Sequence, residues 1–162
     1  KLSYNQKFLK KIISTNTNYN GLLLFHGTGV GKTCSSISIA EQFSENITDM
    51  NKKIIILLNP SIKVNFIKNI FNIERLKQGK LNEQCTRDKY LKEVGASASA
   101  SDMDTIDKKI KKIIDSRYVF YGYTEFSNMI EKIENVDLAG ASKSYKNRYI
   151  DKAIKRIFSN TY

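Results

Sequence analysis

A glycine-rich loop that leads into a lysine and a threonine is the part of this chain best suited to chemistry. Residues 27–33 read GTGVGKT. Glycines let successive backbone N–H groups turn inward around phosphate oxygens, as in a phosphate-binding P-loop. Lys32 can reach the terminal phosphates of a nucleotide, and the hydroxyl group of Thr33 can bind Mg²⁺. Lys32 and Thr33 are therefore the candidate catalytic residues, and the predicted nucleotide-binding residues are Gly27, Thr28, Gly29, Val30, Gly31, Lys32, Thr33 and Cys34.

One position departs from the strict P-loop pattern. The pattern places a glycine six residues before the lysine, and this chain has His26 there. The G-x-G-K-T core of the motif is retained, which favours a P-loop over a chance glycine turn. A lone loop histidine is more often a packed or hydrogen-bonded residue than a catalyst, and we interpret His26 in that way.

The elements on either side of the loop must position it. The apolar run Leu22–Phe25 predicts a buried parallel strand, and the apolar spacing within Ser35–Phe43 predicts a helix. The positive end of that helix would point at the bound phosphates. Cys34 falls in its first turn as a small packing residue. Cys85 is the other cysteine. A reduced, intracellular compartment fits this cysteine content best, so we expect both cysteines to be reduced.

Helices and strands alternate along the rest of the chain. Apolar spacing predicts a helix over 2–13, strands over Lys53–Leu58 and Tyr118–Tyr121, and a basic amphipathic helix over Tyr145–Phe158. This order predicts an α/β fold, the start of a doubly wound parallel sheet in one domain. The polar stretch 74–107, which contains an Ala-Ser run, predicts an insertion with a mobile loop.

The composition limits the class of partner. A chain of 162 residues is long enough to bury the core of one domain. The net charge of +11 favours binding to nucleic acid, although lysine-rich coding in an AT-rich genome would give the same excess. There is no run of 18 apolar residues, so no membrane partner is predicted. Two cysteines and one histidine at these spacings predict no metal cluster.

A segment upstream of the loop resembles a motif of superfamily 2 helicases and translocases. Residues 2–6, LSYNQ, resemble the Q motif, in which a glutamine selects adenine. Gln6 is the candidate, because its amide can pair with both the N6 amine and N7 of the base. Asn5 stands where the family has an aromatic residue or histidine. The alternative is a solvated glutamine on a surface helix.

A segment downstream of the loop resembles motif Ia of the same family. Asn59-Pro60-Ser61 follows the apolar run KIIILL, and in the family this turn lies on the nucleic-acid face. The resemblance makes Pro60, Ser61 and Lys63 candidate contacts to backbone phosphates. The alternative is a plain turn from strand to helix with Ser61 as the helix cap.

Together, the segments LLLFHGTGVGKT, NPS, QCTRDKYL and YVFYGYTEF resemble the superfamily 2 helicases of nucleocytoplasmic large DNA viruses, relatives of the poxvirus early transcription factor ATPase. The resemblance covers nearly the whole chain. It implies the N-terminal part of a RecA-like domain, with ATP and Mg²⁺ as cofactors. It also implies nucleic acid and the remaining helicase or transcription machinery as partners, in a virion or an infected host cell.

The family hydrolyses ATP with motif II, a buried strand that ends in Asp-Glu. No Asp-Glu pair follows a buried strand here. The resemblance therefore implies a part that ends before motif II, binds Mg-ATP and hydrolyses it poorly by itself. A missing neighbouring strand would expose a sheet edge, so we expect marginal stability or oligomers. Another P-loop NTPase, such as a nucleotide kinase, and a non-catalytic P-loop module are the alternatives.

Overall fold

In the part of this α/β chain that the structure describes, two short parallel strands form the sheet. In the computed structural model, β1 (Ile54–Leu57) pairs with β2 (Tyr118–Tyr121), with Ile54 opposite Tyr118 and Leu57 opposite Tyr121. The β-branched and aromatic side chains of both strands favour an extended backbone. Because the strands are parallel, both end at the same edge of the sheet.

The structure describes residues 3–19, 21–25, 27, 29, 31–50, 52–96, 102–136 and 138–159. Its helices are α1 (Tyr4–Ile12), α2 (Lys32–Met50), α3 (Pro60–Ile70), α4 (Ile73–Lys77), α5 (Lys89–Glu93), α6 (Met103–Arg117), α7 (Tyr123–Glu134) and α8 (Lys143–Ser159), with a 3₁₀ turn at Leu81–Glu83. Within these ranges, no helix combines the length and apolarity needed to cross a membrane.

The predicted strand Leu22–Phe25 does not form. Residues 21–25 have no strand assignment, and the side chains of Leu23 and Phe25 are 88% and 95% exposed. An apolar segment becomes a strand only when a neighbour completes its ladder of backbone hydrogen bonds. In the described part of the chain, β1 and β2 pair with each other and not with this segment. The prediction of a buried parallel strand before the loop is therefore wrong for this structure.

The turn after β1 also differs from the prediction. Asn59, and not Ser61, is the N-cap of α3, because its side-chain oxygen accepts the Ser61 N–H at 3.0 Å. Pro60 occupies the first helical position, where its fixed φ suits the helix and its missing N–H costs nothing. The other predicted helices and strands that follow β1 are present with small shifts of their ends.

The core lies between α2, α3, α6 and the sheet. Its buried apolar residues are Ile37, Ala40, Ile54, Ile70, Phe71, Leu76, Tyr90, Leu91, Ile106, Ile110, Ile114 and Tyr118. Tyr90 and Leu91 come from the polar stretch interpreted as an insertion. That stretch is largely helical up to residue 93, and it contributes buried side chains because α5 packs on α6. Whether it is an insertion stays a prediction, and residues 97–101 of the Ala-Ser run lie outside the described residues.

A disulfide joins Cys34, in the first turn of α2, to Cys85 in the segment before α5. The two Cα atoms are 5.0 Å apart although the residues are 51 positions apart in sequence. The expectation of two reduced cysteines, with Cys34 as a simple packing residue, is therefore wrong for this structure. Sequence spacing could not reveal the pair, because the packing of α2 against the 84–91 region brings the sulfurs together.

Reduction of this disulfide is expected to destabilise the chain. Closing a loop of this length restricts the unfolded state by about 4 kcal/mol in the chain-entropy description. We expect the free energy of unfolding, measured by urea denaturation with and without a phosphine reductant, to fall by about 2–4 kcal/mol on reduction. The double variant Cys34→Ser/Cys85→Ser should unfold identically in both conditions. An unchanged free energy of unfolding of the parent chain in the reductant would contradict the prediction.

Candidate nucleotide-binding site

The glycine loop has the backbone conformation that its composition predicts. Gly29 and Gly31 have φ angles of +78° and +86°, in the left-handed region that favours glycine. Helix α2 begins directly at Lys32, and the N–H of Ser35 donates to the Gly31 carbonyl at 2.9 Å. The backbone N–H groups of the first helical turn therefore follow the loop immediately, as an anion site requires. His26, Thr28 and Val30 lie outside the described residues.

Lys32 reaches across the loop. Its ammonium group donates to the carbonyl oxygen of Gly27 at 3.2 Å, and its side chain is exposed. The contact holds a positive charge over the turn, where phosphate oxygens could replace the carbonyl as acceptors. Thr33 is half-buried beside it, and the sulfur of Cys34 is in the disulfide. Cys34 can therefore contact a phosphate through its backbone N–H but not through its sulfur.

Gln6 lies against the glycine loop although it is distant in sequence. A Cβ placed on Gly31 would be 3.5 Å from the Gln6 Nε2 atom. The same side chain caps α1: its Oε1 accepts the Ser3 N–H at 3.0 Å, and the Gln6 N–H donates to Ser3 Oγ at 3.2 Å. This capping role is an additional function for Gln6, and the S-x-x-Q spacing of Ser3 and Gln6 is the sequence signal for it.

The candidate nucleic-acid residues lie at the edge where both strands end. Ser61 donates its hydroxyl to Asn59 Oδ1 at 2.9 Å, and the Lys63 ammonium lies 5.7 Å from the centre of the Phe120 ring. A Cβ on Gly122 would be 3.4 Å from Cγ of Pro60. The start of α7, including the exposed Tyr123, therefore adjoins the start of α3. The sequence signal for the start of α7 is the turn that follows the strand YVFY.

Three curated proteins of large DNA viruses are similar to this chain. "Putative ATP-dependent RNA helicase L377" of Acanthamoeba polyphaga mimivirus is 31% identical over 146 residues, which are 86% of this chain and 12% of that protein. "Putative ATP-dependent RNA helicase R563" of the same virus is 32% identical over 78% of this chain and 20% of its own length. "Putative helicase 087L" of Invertebrate iridescent virus 3 is 31% identical over 82% of this chain and 13% of its own length.

The predicted resemblance to helicases of nucleocytoplasmic large DNA viruses is confirmed. This helicase relative spans 12 to 20% of the length of those three proteins. No protein-family model matches it, and no solved structure matches it.

A buried carboxylate, Glu41, joins α2 to α5 and β2. The Glu41 side chain is 6% exposed. Its Oε1 accepts hydroxyl hydrogens from Tyr90 at 2.7 Å and from Tyr118 at 2.5 Å, and the Lys89 ammonium lies 2.7 Å from its Oε2. No motif pointed to Glu41, although a carboxylate four residues after Ile37 on an apolar helix face predicts a buried partner.

Burial keeps the two tyrosine hydroxyls of this cluster protonated. Burial, followed by the negative charge of Glu41, raises the pKa of Tyr90 and of Tyr118 above the ordinary value for tyrosine. Both hydroxyls are therefore neutral donors at physiological pH. Arg117 lies with its guanidinium 5.6 Å from the centre of the Tyr90 ring and pairs with Glu93. The cluster is suited to positioning α2, and with it the glycine loop.

A metal ion at this site would need ligands from the loop itself. Across the described ranges, no group of three or more histidine, cysteine, aspartate or glutamate side chains could hold a metal ion. Among the described residues, Thr33 has a hydroxyl oxygen beside the loop. A magnesium ion at such a site takes most of its ligands from phosphates and water.

Proposed function

We propose that this chain binds Mg-ATP through residues 27–34 and is the nucleotide-binding part of a nucleic-acid helicase or translocase. The observation that carries the proposal is the junction of the loop with α2, where Gly29 and Gly31 are left-handed and Lys32 opens the helix. Similarity to viral proteins named as helicases, two of them as ATP-dependent RNA helicases, supports it.

The loop has the space and the donors that nucleotide phosphates require. A Cβ on Gly27 or Gly29 would meet no atom within 4 Å, so phosphate oxygens can approach the backbone closely. The N–H groups of the loop and of the first α2 turn bind these oxygens, and Lys32 neutralises the terminal phosphates. Thr33 supplies a hydroxyl ligand to Mg²⁺, which offsets the remaining phosphate charge.

The chain itself lacks a recognisable group to activate the attacking water. Its sequence contains no Asp-Glu pair, and efficient hydrolysis needs such carboxylates to hold the metal and orient water. Binding therefore exceeds turnover in this chain. Nucleic acid is bound at the adjoining starts of α3 and α7, where Lys63 supplies a positive charge and the Ser61 hydroxyl can turn from Asn59 Oδ1 to a phosphate oxygen.

Gln6 is expected to give the site its preference for adenine. A bidentate amide–base pair contributes about 1–3 kcal/mol of discrimination, or about 5- to 150-fold in affinity. Gln6→Glu keeps an acceptor for the α1 cap but loses the amide donor to N7. We expect that variant to lose the preference for ATP over GTP in titrations followed by thermal shift and calorimetry.

A matched variant separates recognition from capping. Ser3→Ala removes the α1 cap at a cost of about 1 kcal/mol but leaves the Gln6 amide in place. It should retain the ATP-to-GTP affinity ratio of the parent chain. Equal ATP and GTP affinities in the parent chain would favour another P-loop NTPase, and binding of neither nucleotide by a cooperatively folded chain would refute the proposed function.

A further inference from the structure

We propose that α8 is a platform for single-stranded nucleic acid, on which Tyr145 and Tyr149 stack bases while Arg148 and Lys152 hold the backbone. The proposal rests on the nucleic-acid part of the proposed function and adds a surface separate in sequence from the starts of α3 and α7. Among the residues that the structure describes, those that line a groove of about 590 Å³ belong to α8, and these four are among them.

The spacing of these side chains suits an extended strand. Residues four apart on a helix lie on one face, about 6 Å apart along its axis. Tyr145 and Tyr149 form one such row. Arg148 and Lys152 form a second row beside it, because each lies three residues after one of the tyrosines. The tyrosine side chains are 56% and 41% exposed. Exposed tyrosine rings gain little free energy from packing, so the stability of the helix does not explain two of them on one open face.

The charge of the helix selects a polyanion. Between residues 143 and 159 there are six basic residues and one acidic residue, Asp151. Such a surface attracts a phosphate backbone over any neutral partner. The interleaved tyrosines then favour a single strand over a duplex, because the bases of a duplex are already stacked on each other and cannot reach a protein ring. Stacking on rings is tolerant of sequence, so we expect binding without strong base preference.

The test is fluorescence anisotropy with end-labelled 20-nucleotide oligo-dT and oligo-U. A third probe is an abasic strand of the same length and charge. Tyr145→Ala/Tyr149→Ala should bind the two base-containing strands at least about 10-fold more weakly and the abasic strand as tightly as the parent chain does. Arg148→Ala/Lys152→Ala should weaken all three and reduce the slope of log K against log salt by about 1.4. Tyr19→Ala, an exposed tyrosine elsewhere, is the matched control and should bind like the parent.

The outcomes separate this proposal from the proposed function. If the double tyrosine variant binds all three strands normally while Lys63→Ala weakens them, the α8 platform is overturned and nucleic-acid binding stands. If the α8 variants change only self-association, measured by sedimentation, the face is a protein interface and the platform is again overturned. If the parent chain binds no strand, both nucleic-acid proposals fail, whereas Mg-ATP binding is decided independently by its own titration.

Discussion

Lys32→Ala is expected to weaken Mg-ATP binding by about 10- to 150-fold, corresponding to the 1.5–3 kcal/mol of a hydrogen bond to a charged group. The ammonium group lies over the loop at 3.2 Å from the Gly27 carbonyl, and in the proposed site it meets the terminal phosphates. Isothermal calorimetry with Mg-ATP, on the parent chain and the variant, measures the ratio directly. The thermal shift produced by saturating ATP should fall with it, because that shift follows ligand binding by mass action.

A control for charge is needed beside this variant. Lys68→Ala removes an exposed lysine from α3 and should leave ATP affinity unchanged. Because the Lys32 side chain is exposed, its removal should change the free energy of unfolding by less than about 0.5 kcal/mol in the absence of nucleotide. Undiminished ATP affinity in Lys32→Ala would mean that the loop does not bind the phosphates in the proposed way.

Glu41→Ala is expected to lower the free energy of unfolding by about 3–5 kcal/mol. The substitution leaves Lys89 without its carboxylate and leaves the hydroxyls of Tyr90 and Tyr118 without their acceptor in the core. Urea denaturation followed by circular dichroism measures the loss. Because natural domains are stable by only about 5–15 kcal/mol, this loss is a large share of the total stability.

Two further variants locate the origin of that loss. Tyr118→Phe removes one hydroxyl and leaves the carboxylate its contacts to Tyr90 and Lys89, so a smaller loss of about 1.5–3 kcal/mol is expected. Glu131→Ala removes an exposed carboxylate from α7 and should be neutral within about 0.5 kcal/mol. Equal stability of the parent chain and Glu41→Ala would show that the cluster does not hold α2 in place.

The exposed segment before the loop shows where pattern and fold disagree. Leu22–Phe25 has the composition of a buried strand, yet the structure leaves most of it exposed beside a two-stranded sheet. Composition records only that a segment can be buried. Burial also needs a partner strand on at least one side. The strands β1 and β2, in contrast, form backbone hydrogen bonds with each other, and both are predicted within one residue at each end.

Local patterns in the sequence determined the glycine loop and several of the elements around it, although not the strand predicted before it. The loop glycines, a helix after the loop, the strand Tyr118–Tyr121 and the amphipathic α8 follow from residue type and spacing, because backbone preference and periodicity act over a few residues. The helix after the loop is predicted over Ser35–Phe43, and in the structure it is longer, Lys32–Met50. The resemblance to large-DNA-virus helicases rested on the same local motifs, and the comparisons confirmed it.

Only the tertiary structure decided which distant residues meet. It joined Cys34 to Cys85, placed Gln6 against Gly31, and gathered two tyrosines around Glu41. These pairs are set by how whole helices pack on the sheet and on each other. A shift of one helix by a single turn, about 5.4 Å, would separate any of them. No local sequence pattern specifies how helices pack at that precision. The contacts that hold the site in place are therefore visible only in the tertiary structure.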